Sequence, residues 1–295
     1  MFVKKGYIYA ILSAVLFGSA GLFVKMSFKT GLSSTSLLIH QYTLAIILMF
    51  ILLLILDKKD IKLTRHELKY LMILGVIGNT FMTVFYYMAF NYLPVALVNM
   101  LLYTCPIMVF FYEFFFQGIK FNRNKLIALL LAIVGCFLSL GLSSGHLNYS
   151  IIGIILALIS ALFYAFMNIC TEKYLSNVKP LKINAYATLF SLMSLIVIQI
   201  GIGVYNGGGI SIYNTSLSME SLKYITILAI FCEIIPLTLL YAAINNIGAF
   251  KTSIIGNIEI PTAMVLGYLF LSEGISIMQI FGALFIVVAV YLIKQ

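Results

Sequence analysis

Residues 70–91 read YLMILGVIGNTFMTVFYYMAFN, and residues 224–245 read YITILAIFCEIIPLTLLYAAIN. At a slide of 154 positions Leu74 falls on Leu228, Asn79 on Glu233, Tyr87 on Tyr241, Ala89 on Ala243 and Asn91 on Asn245. One residue out of phase, Pro106 falls on Pro261. The start of the chain repeats as well. A slide of 147 places Gly6, Ala10, Ser13, Ala14 and Phe17 on Gly153, Ala157, Ser160, Ala161 and Tyr164. Weak internal symmetry of this kind is the trace of a repeat-built membrane carrier.

Composition fixes the solvent. Hydrophobic residues make up 63% of the 295 and charged residues 9%. A soluble domain carries about a quarter charged residues, so this chain belongs in a bilayer. Ten apolar runs of near membrane length are expected at 7–28, 35–56, 70–90, 95–117, 125–142, 151–171, 183–204, 222–243, 250–271 and 277–293. The turn Gly31-Leu32-Ser33-Ser34, the charge run 57–60, the polar run 122–125 and the glycines 207–209 separate them. The fold class is therefore all-α, ten transmembrane helices arranged as two five-helix repeats, 1–145 and 150–295.

The net charge of +9 reports orientation, not a nucleic-acid partner. With the N-terminus in the cytoplasm, fifteen basic residues fall on the inner side; only Lys25, Lys29 and Lys223 fall outside. That is the positive-inside pattern, and it places a multi-pass protein in the cell membrane with both termini cytoplasmic. The first run, after Lys4-Lys5, is too long for a signal core and has a copy at the sixth, so it reads as a mature helix. Cys105, Cys136, Cys170 and Cys232 lie inside spans without CxxC spacing and read as buried small hydrophobes. No cofactor and no metal is implied.

Five spans per copy is an odd number. The second copy must enter the membrane from the side opposite to the first, so the repeats are inverted about an axis in the membrane plane. Exchanging the conformations of two such halves opens a central site first to one side and then to the other.

The stretch Leu102-Tyr103-Thr104-Cys105-Pro106-Ile107, with Lys125-Leu126-Ile127-Ala128-Leu129 and Gly135-Cys136, resembles the end of the first repeat of EamA-type members of the drug/metabolite transporter superfamily. Asn257-Ile258-Glu259-Ile260-Pro261, Leu269-Phe270-Leu271-Ser272-Glu273 and Gln279-Ile280-Phe281-Gly282 resemble the end of the second. The first repeat departs from many relatives by carrying Ile119 in place of an acid, whereas the second keeps Glu273. The resemblance covers nearly the whole chain. It implies ten helices around a central cavity and transport of a small organic solute, without naming the cargo.

A carboxylate in mid-membrane is costly and survives by facing protein or water. Glu233 and Glu259 lie near the middle of spans 8 and 9, beside Pro236 and Pro261. Each proline removes an N–H, which is expected to free the carbonyls of Cys232 and Asn257 beside the acids and to make helix breaks for gating, as is Pro106. Asn79, at the position matching Glu233, would polarise a duplicated site; helix packing through its amide is the plain alternative. Asn99, Tyr103, Pro106, Phe110 and Glu113 fall on one face of span 4 at spacings of three and four, suiting a cavity wall or a packing seam. Tyr86, Tyr87 and Tyr241 add aromatic groups that suit a cation. The expected substrate-binding residues are thus Glu233, Glu259, Asn79, Tyr103, Asn99, Tyr86, Tyr87 and Tyr241. His40 in span 2 is of a type that shuttles protons near neutrality, but a single helical histidine is more often a packed, hydrogen-bonded residue. Glu113 and Glu172, near inner span ends, are expected to pair with loop lysines.

The function expected is secondary transport of a small polar metabolite, amino-acid-like or amine-bearing, by alternating access. The partners are that solute, the lipid bilayer and a coupled proton or counter-solute. A lipid-linked carrier flippase or an anion carrier would need a basic group in the membrane, and no Arg lies within the spans. An intramembrane enzyme would need a nucleophile–base pair or metal ligands; the three histidines, His40, His66 and His146, stand apart and HExxH does not occur. No P-loop occurs either, so uphill work must draw on a gradient.

Overall fold

The structure, a computed structural model, describes residues 2–32, 34–56, 61–89, 91–93, 95–119, 122–139, 150–205, 217–271 and 274–294. The charge run 57–60, Pro94, the glycines 207–209 and Glu273 lie outside the described residues. Span 1 is α1 (Phe2–Phe28) and span 2 is α2 (Ser34–Leu56). Span 3 is α3 (Arg65–Ile73) and α4 (Thr80–Ala89), joined by a π-turn at Leu74–Asn79. Span 4 is α5 (Val95–Leu102) and α6 (Cys105–Phe116), and span 5 is α7 (Arg123–Ser139).

The second half repeats the pattern. Spans 6 and 7 are α8 (Ile151–Tyr174) and α9 (Pro180–Tyr205). Span 8 is α10 (Met219–Leu228) and α11 (Ile235–Ile247), joined by a π-turn at Ala229–Ile234. Span 9 is α12 (Ala249–Gly256) and α13 (Glu259–Leu271), and span 10 is α14 (Ile277–Lys294). Among the described residues nine spans are long and apolar enough to cross a membrane, and α7, 17 residues long, is the tenth helix of the set.

Helix starts follow local chemistry. Thr64 and Glu67 form a capping box, with the Glu67 N–H donating to Thr64 Oγ1 at 3.2 Å and the Thr64 N–H to Glu67 Oε2 at 2.7 Å. Ser150 and Ser218 cap α8 and α10 through their hydroxyls. The outer walls remain apolar: Ile55, Phe115, Ile151 and Val197 are exposed, as lipid-facing side chains are.

Pairs of contacts related by the sequence slides hold the bundle together. The Ser13 hydroxyl donates to the Pro236 carbonyl at 2.7 Å, and the Ser160 hydroxyl donates to the Met82 carbonyl at 2.9 Å. Ser160 is the slide-147 mate of Ser13, and Pro236 the slide-154 mate of Met82. Gly6 packs on Asn246 and Ile247, while Gly153 packs on Tyr92 and Leu93. Spans 5 and 10 cross at Gly135 and Gly282, where an added Cβ would come within 2.8 Å and 2.6 Å of the facing glycine's carbonyl oxygen. Small residues at such crossings let membrane helices approach closely. Each half thus buries its first span against the partner half, and the fold is two inverted repeats.

Candidate functional site

The π-turn of span 8 places Glu233 inside the bundle, 8% exposed. A π-turn widens the helix, and the following Pro236 offers no N–H, so carbonyls here need outside donors. Span 7 supplies one. Asn184 Nδ2 lies 3.1 Å from the Ile234 carbonyl, 3.4 Å from that of Glu233 and 3.0 Å from Thr238 Oγ1. Thr188, one turn along, donates to Glu233 Oε1 at 3.3 Å and lies 3.1 Å from Asn184 Oδ1. The carbonyls that Asn184 engages are those of Glu233 and Ile234, not that of Cys232, the one expected to be freed by Pro236.

Three tyrosines surround the acid. Tyr42, Tyr87 and Tyr241 all lie within electrostatic range of Glu233, and Tyr42 bonds Thr83. The Tyr241 hydroxyl faces the Asn79 amide. Yet Tyr241 OH and Asn79 Oδ1 both lack a formed hydrogen bond, although both residues are almost wholly buried. Unpartnered buried polar atoms are costly, at about 1–3 kcal/mol each.

A second cluster gathers around Glu259. The break in span 4 at Tyr103-Thr104 turns the Tyr103 hydroxyl to the Glu259 carboxyl. Tyr86 donates to Asn99 Oδ1 and lies within range of Glu259. Span 1 passes close here, where an added Cβ at Gly18 would come within 2.8 Å of the Glu259 carbonyl. Tyr164 lies within range of both Glu259 and Tyr241, and Cys232 of both carboxyl groups, so the clusters are neighbours. The Asn257 side chain is buried with neither polar atom bonded.

Every expected binding residue therefore falls in one of these two clusters: Asn79, Tyr87 and Tyr241 with Glu233, and Asn99, Tyr86 and Tyr103 with Glu259. Several details differ from expectation. The Asn257 carbonyl accepts the Ile260 N–H at 3.1 Å and is not freed by Pro261, which sits in the first turn of α13 where its missing N–H costs little. Pro106 likewise opens α6. The polar stripe of span 4 is not one continuous helical face, because the helix breaks at Tyr103-Thr104; its lower part faces span 9. Glu113 has Lys125, at the start of α7, within electrostatic range, and both it and Glu172 also engage the backbone. Their carboxylates accept the N–H groups of Phe250 and Ala249 at the start of α12, where the helix dipole favours negative charge.

Tyr42, Thr83, Tyr164, Asn184 and Thr188 were not singled out from the sequence. The Asn184 and Thr188 pair did carry a signal: two polar residues four apart inside an apolar span occupy one helical face. His40 is a packed histidine, its Nδ1 2.7 Å from the Ser36 carbonyl one turn earlier.

The end of the bundle that bears most basic residues is bonded across the two halves. Lys182 pairs with Glu67 at 2.9 Å and donates to the Lys62 carbonyl at 2.9 Å. The Tyr186 hydroxyl donates to the Ile61 carbonyl at 2.6 Å. Lys251 donates to the Tyr7 hydroxyl at 3.1 Å, and Tyr7 in turn lies 3.3 Å from the Ile293 carbonyl.

Known proteins agree with this architecture. The model of the EamA-like transporter family matches residues 4–141 and again 151–295. An uncharacterized transporter of Bacillus subtilis strain 168, YcbK, is 22% identical over 94% of this chain and 88% of its own. An uncharacterized transporter of Clostridium kluyveri is 21% identical over 97% of this chain and 92% of its own. A solved structure described as "Crystal structure of protein" shares the fold with a TM-score of 0.79 at 12% identity, covering 98% of this chain and 96% of that one. With both halves matched by the family model, the chain belongs to the EamA-like transporter family, within the drug/metabolite transporter superfamily, and is a multi-pass membrane transporter.

Proposed function

We propose that the chain carries a small organic solute bearing a positively charged nitrogen, an amine or an amino-acid-like zwitterion, by alternating access. The observation that carries this reading is the pair of neighbouring tyrosine-lined carboxyl groups, Glu233 and Glu259, with Asn79 and Tyr241 facing each other between the halves. A cation gains charge attraction from the acids and ring contacts from Tyr86, Tyr87, Tyr103 and Tyr241. An anion would meet the same acids without an arginine at mid-span to offset them, since Arg65 and Arg123 stand at the starts of α3 and α7. One like-charge contact at modest dielectric costs a few kcal/mol, roughly tenfold to several-hundredfold in affinity.

The halves 1–145 and 150–295 are the moving units in this reading, with both termini in the cytoplasm. The bonds at the basic end close that side of the bundle. A gradient of protons or of a counter-solute drives net movement. The test is a thermal-unfolding screen of purified protein against amines, amino acids, nucleosides, sugar phosphates and dicarboxylates, followed by uptake into proteoliposomes. Binding raises the unfolding temperature by mass action. Amines or amino acids should do so, and Glu233→Gln, which preserves volume, should abolish the effect while leaving expression near normal. Saturable uptake of a sugar phosphate or dicarboxylate without response to amines would refute the reading and turn attention to Lys251.

A further inference from the structure

The lipid-facing wall between spans 3, 4 and 6 holds a groove of about 640 Å³. Its sides are Met108, Phe111, Phe115, Leu162, Phe166 and Ile169, and Phe111, Phe115 and Leu162 are more than half exposed. From Leu162 to Tyr174 the groove follows α8 for about 18 Å, at the usual rise per residue. One leaflet of a bilayer core is about 15 Å deep. The groove is thus one leaflet long.

Its end is closed by aromatic rings rather than aliphatic ones. Tyr70 stacks on Tyr174 with ring centres 4.1 Å apart, and Tyr112 stacks on Phe116 at 5.5 Å. Two exposed ammonium groups flank these rings. Lys69 Nζ lies 5.5 Å from the centre of Tyr70; Lys173 Nζ lies 5.4 Å from that of Tyr174 and 3.3 Å from the Tyr112 hydroxyl. The carboxylates nearest in sequence are turned elsewhere. Glu67 is held by Lys182, and Glu113 and Glu172 by the N-terminus of α12.

The duplication supplies an internal control. At the slide of 147, Lys173 and Tyr174 fall on Met26 and Ser27, and at the slide of 155 that pairs the prolines, Tyr112 falls on Gly267. Only the Lys69-Tyr70 pair recurs, as Lys223-Tyr224 with a 5.9 Å separation. The repeated scaffold alone therefore does not produce the cationic, aromatic rim; residues particular to this end do.

We propose that this groove is a binding site for an anionic phospholipid, one acyl chain lying along the phenylalanines and the phosphate held between Lys69 and Lys173. Apolar length, an amphipathic tyrosine belt and paired ammonium groups at headgroup depth together match that chemistry, and a zwitterionic lipid would bring its own ammonium against the two lysines. Each lysine near an anionic headgroup is worth about fivefold in binding. The site is independent of the solute that crosses the membrane.

The test uses the purified full chain in detergent, offered phosphatidylglycerol or phosphatidylcholine at equal concentration, with bound lipid counted by native mass spectrometry. The parent should retain phosphatidylglycerol over phosphatidylcholine by roughly tenfold or more. Lys69→Met with Lys173→Met should bring the ratio close to one, Lys69→Arg with Lys173→Arg should keep it, and Lys223→Met should leave it unchanged. Helical content of each variant checks that it has folded. Equal retention of the two lipids by the parent, or a preference that survives the double methionine variant, overturns the proposal. So does a detergent-stable dimer that disappears in Phe115→Ala, which would assign the groove to a second copy of the chain.

Discussion

The side-chain amide of Asn184 stands 3.1 Å from the carbonyl oxygen of Ile234 and so ties span 7 to the π-turn that carries Glu233. A helix opened by a π-turn and a proline leaves carbonyls that only a neighbouring donor can satisfy inside a membrane. Asn184→Ala removes that donor and should lower stability by about 1–3 kcal/mol. Thermal unfolding in detergent measures the loss. A variant that melts with the parent would show that the amide is dispensable and that the π-turn holds itself.

The pair Glu67 and Lys182 joins the start of span 3 to span 7, with the side chain of Lys182 5% exposed and that of Glu67 17%. Partial burial places its worth between that of exposed and fully buried pairs, about 1–3 kcal/mol of coupling. A double-mutant cycle with Glu67→Gln and Lys182→Met reads this directly. Coupling below a few tenths of a kcal/mol would mean that the Lys62 carbonyl, not the acid, holds Lys182.

Gly282 faces Ser139 so closely that an added Cβ would lie 2.4 Å from its backbone nitrogen. Backbone does not yield as a side-chain tip does, so Gly282→Ala must push spans 5 and 10 apart. Folded yield should fall, and Gly282→Leu should fail to accumulate. Gly21, with nothing within 4 Å of its added Cβ, should accept alanine without loss. Fluorescence-detected size-exclusion profiles of the three variants decide the matter.

Orientation is tested by labelling. Arg123→Cys, at the basic end, should be shielded from impermeant thiol reagents in intact cells, whereas Ser218→Cys, at the opposite end, should react. The four native cysteines are buried and give a low background. Reaction at Arg123→Cys from outside would reverse the assignment of both termini.

The fold was legible because doubling leaves a numerical trace. Slides of 147 and 154 relate the contacts Ser13 to Pro236 and Ser160 to Met82 to one another, although neither contact could be read from the sequence. The acids and their tyrosines were legible because charge is rare in a membrane and conspicuous where it occurs. Asn184, Thr188 and Tyr42 were harder, since ordinary polar residues in a span become informative only when the facing helix is known. The backbone partners of Glu113 and Glu172 were hidden for a similar reason: the N–H groups of α12 have no signature in composition. The groove between spans 3, 4 and 6 was invisible, because its rings are three separate stretches of apolar sequence.

Both halves carry a π-turn at nearly the same place, Leu74–Asn79 and Ala229–Ile234. Such a turn accommodates more chain than an α-helical turn. Wound as a plain α-helix, the same residues would swing everything beyond Asn79 by about 100°. Tyr86 would leave Asn99, Tyr87 would leave the neighbourhood of Glu233, and the Met82 carbonyl would leave Ser160, with no residue type altered. What each half has kept at this point is a length as much as an identity, and the facing of its inner side chains is set by a surplus of chain several residues away.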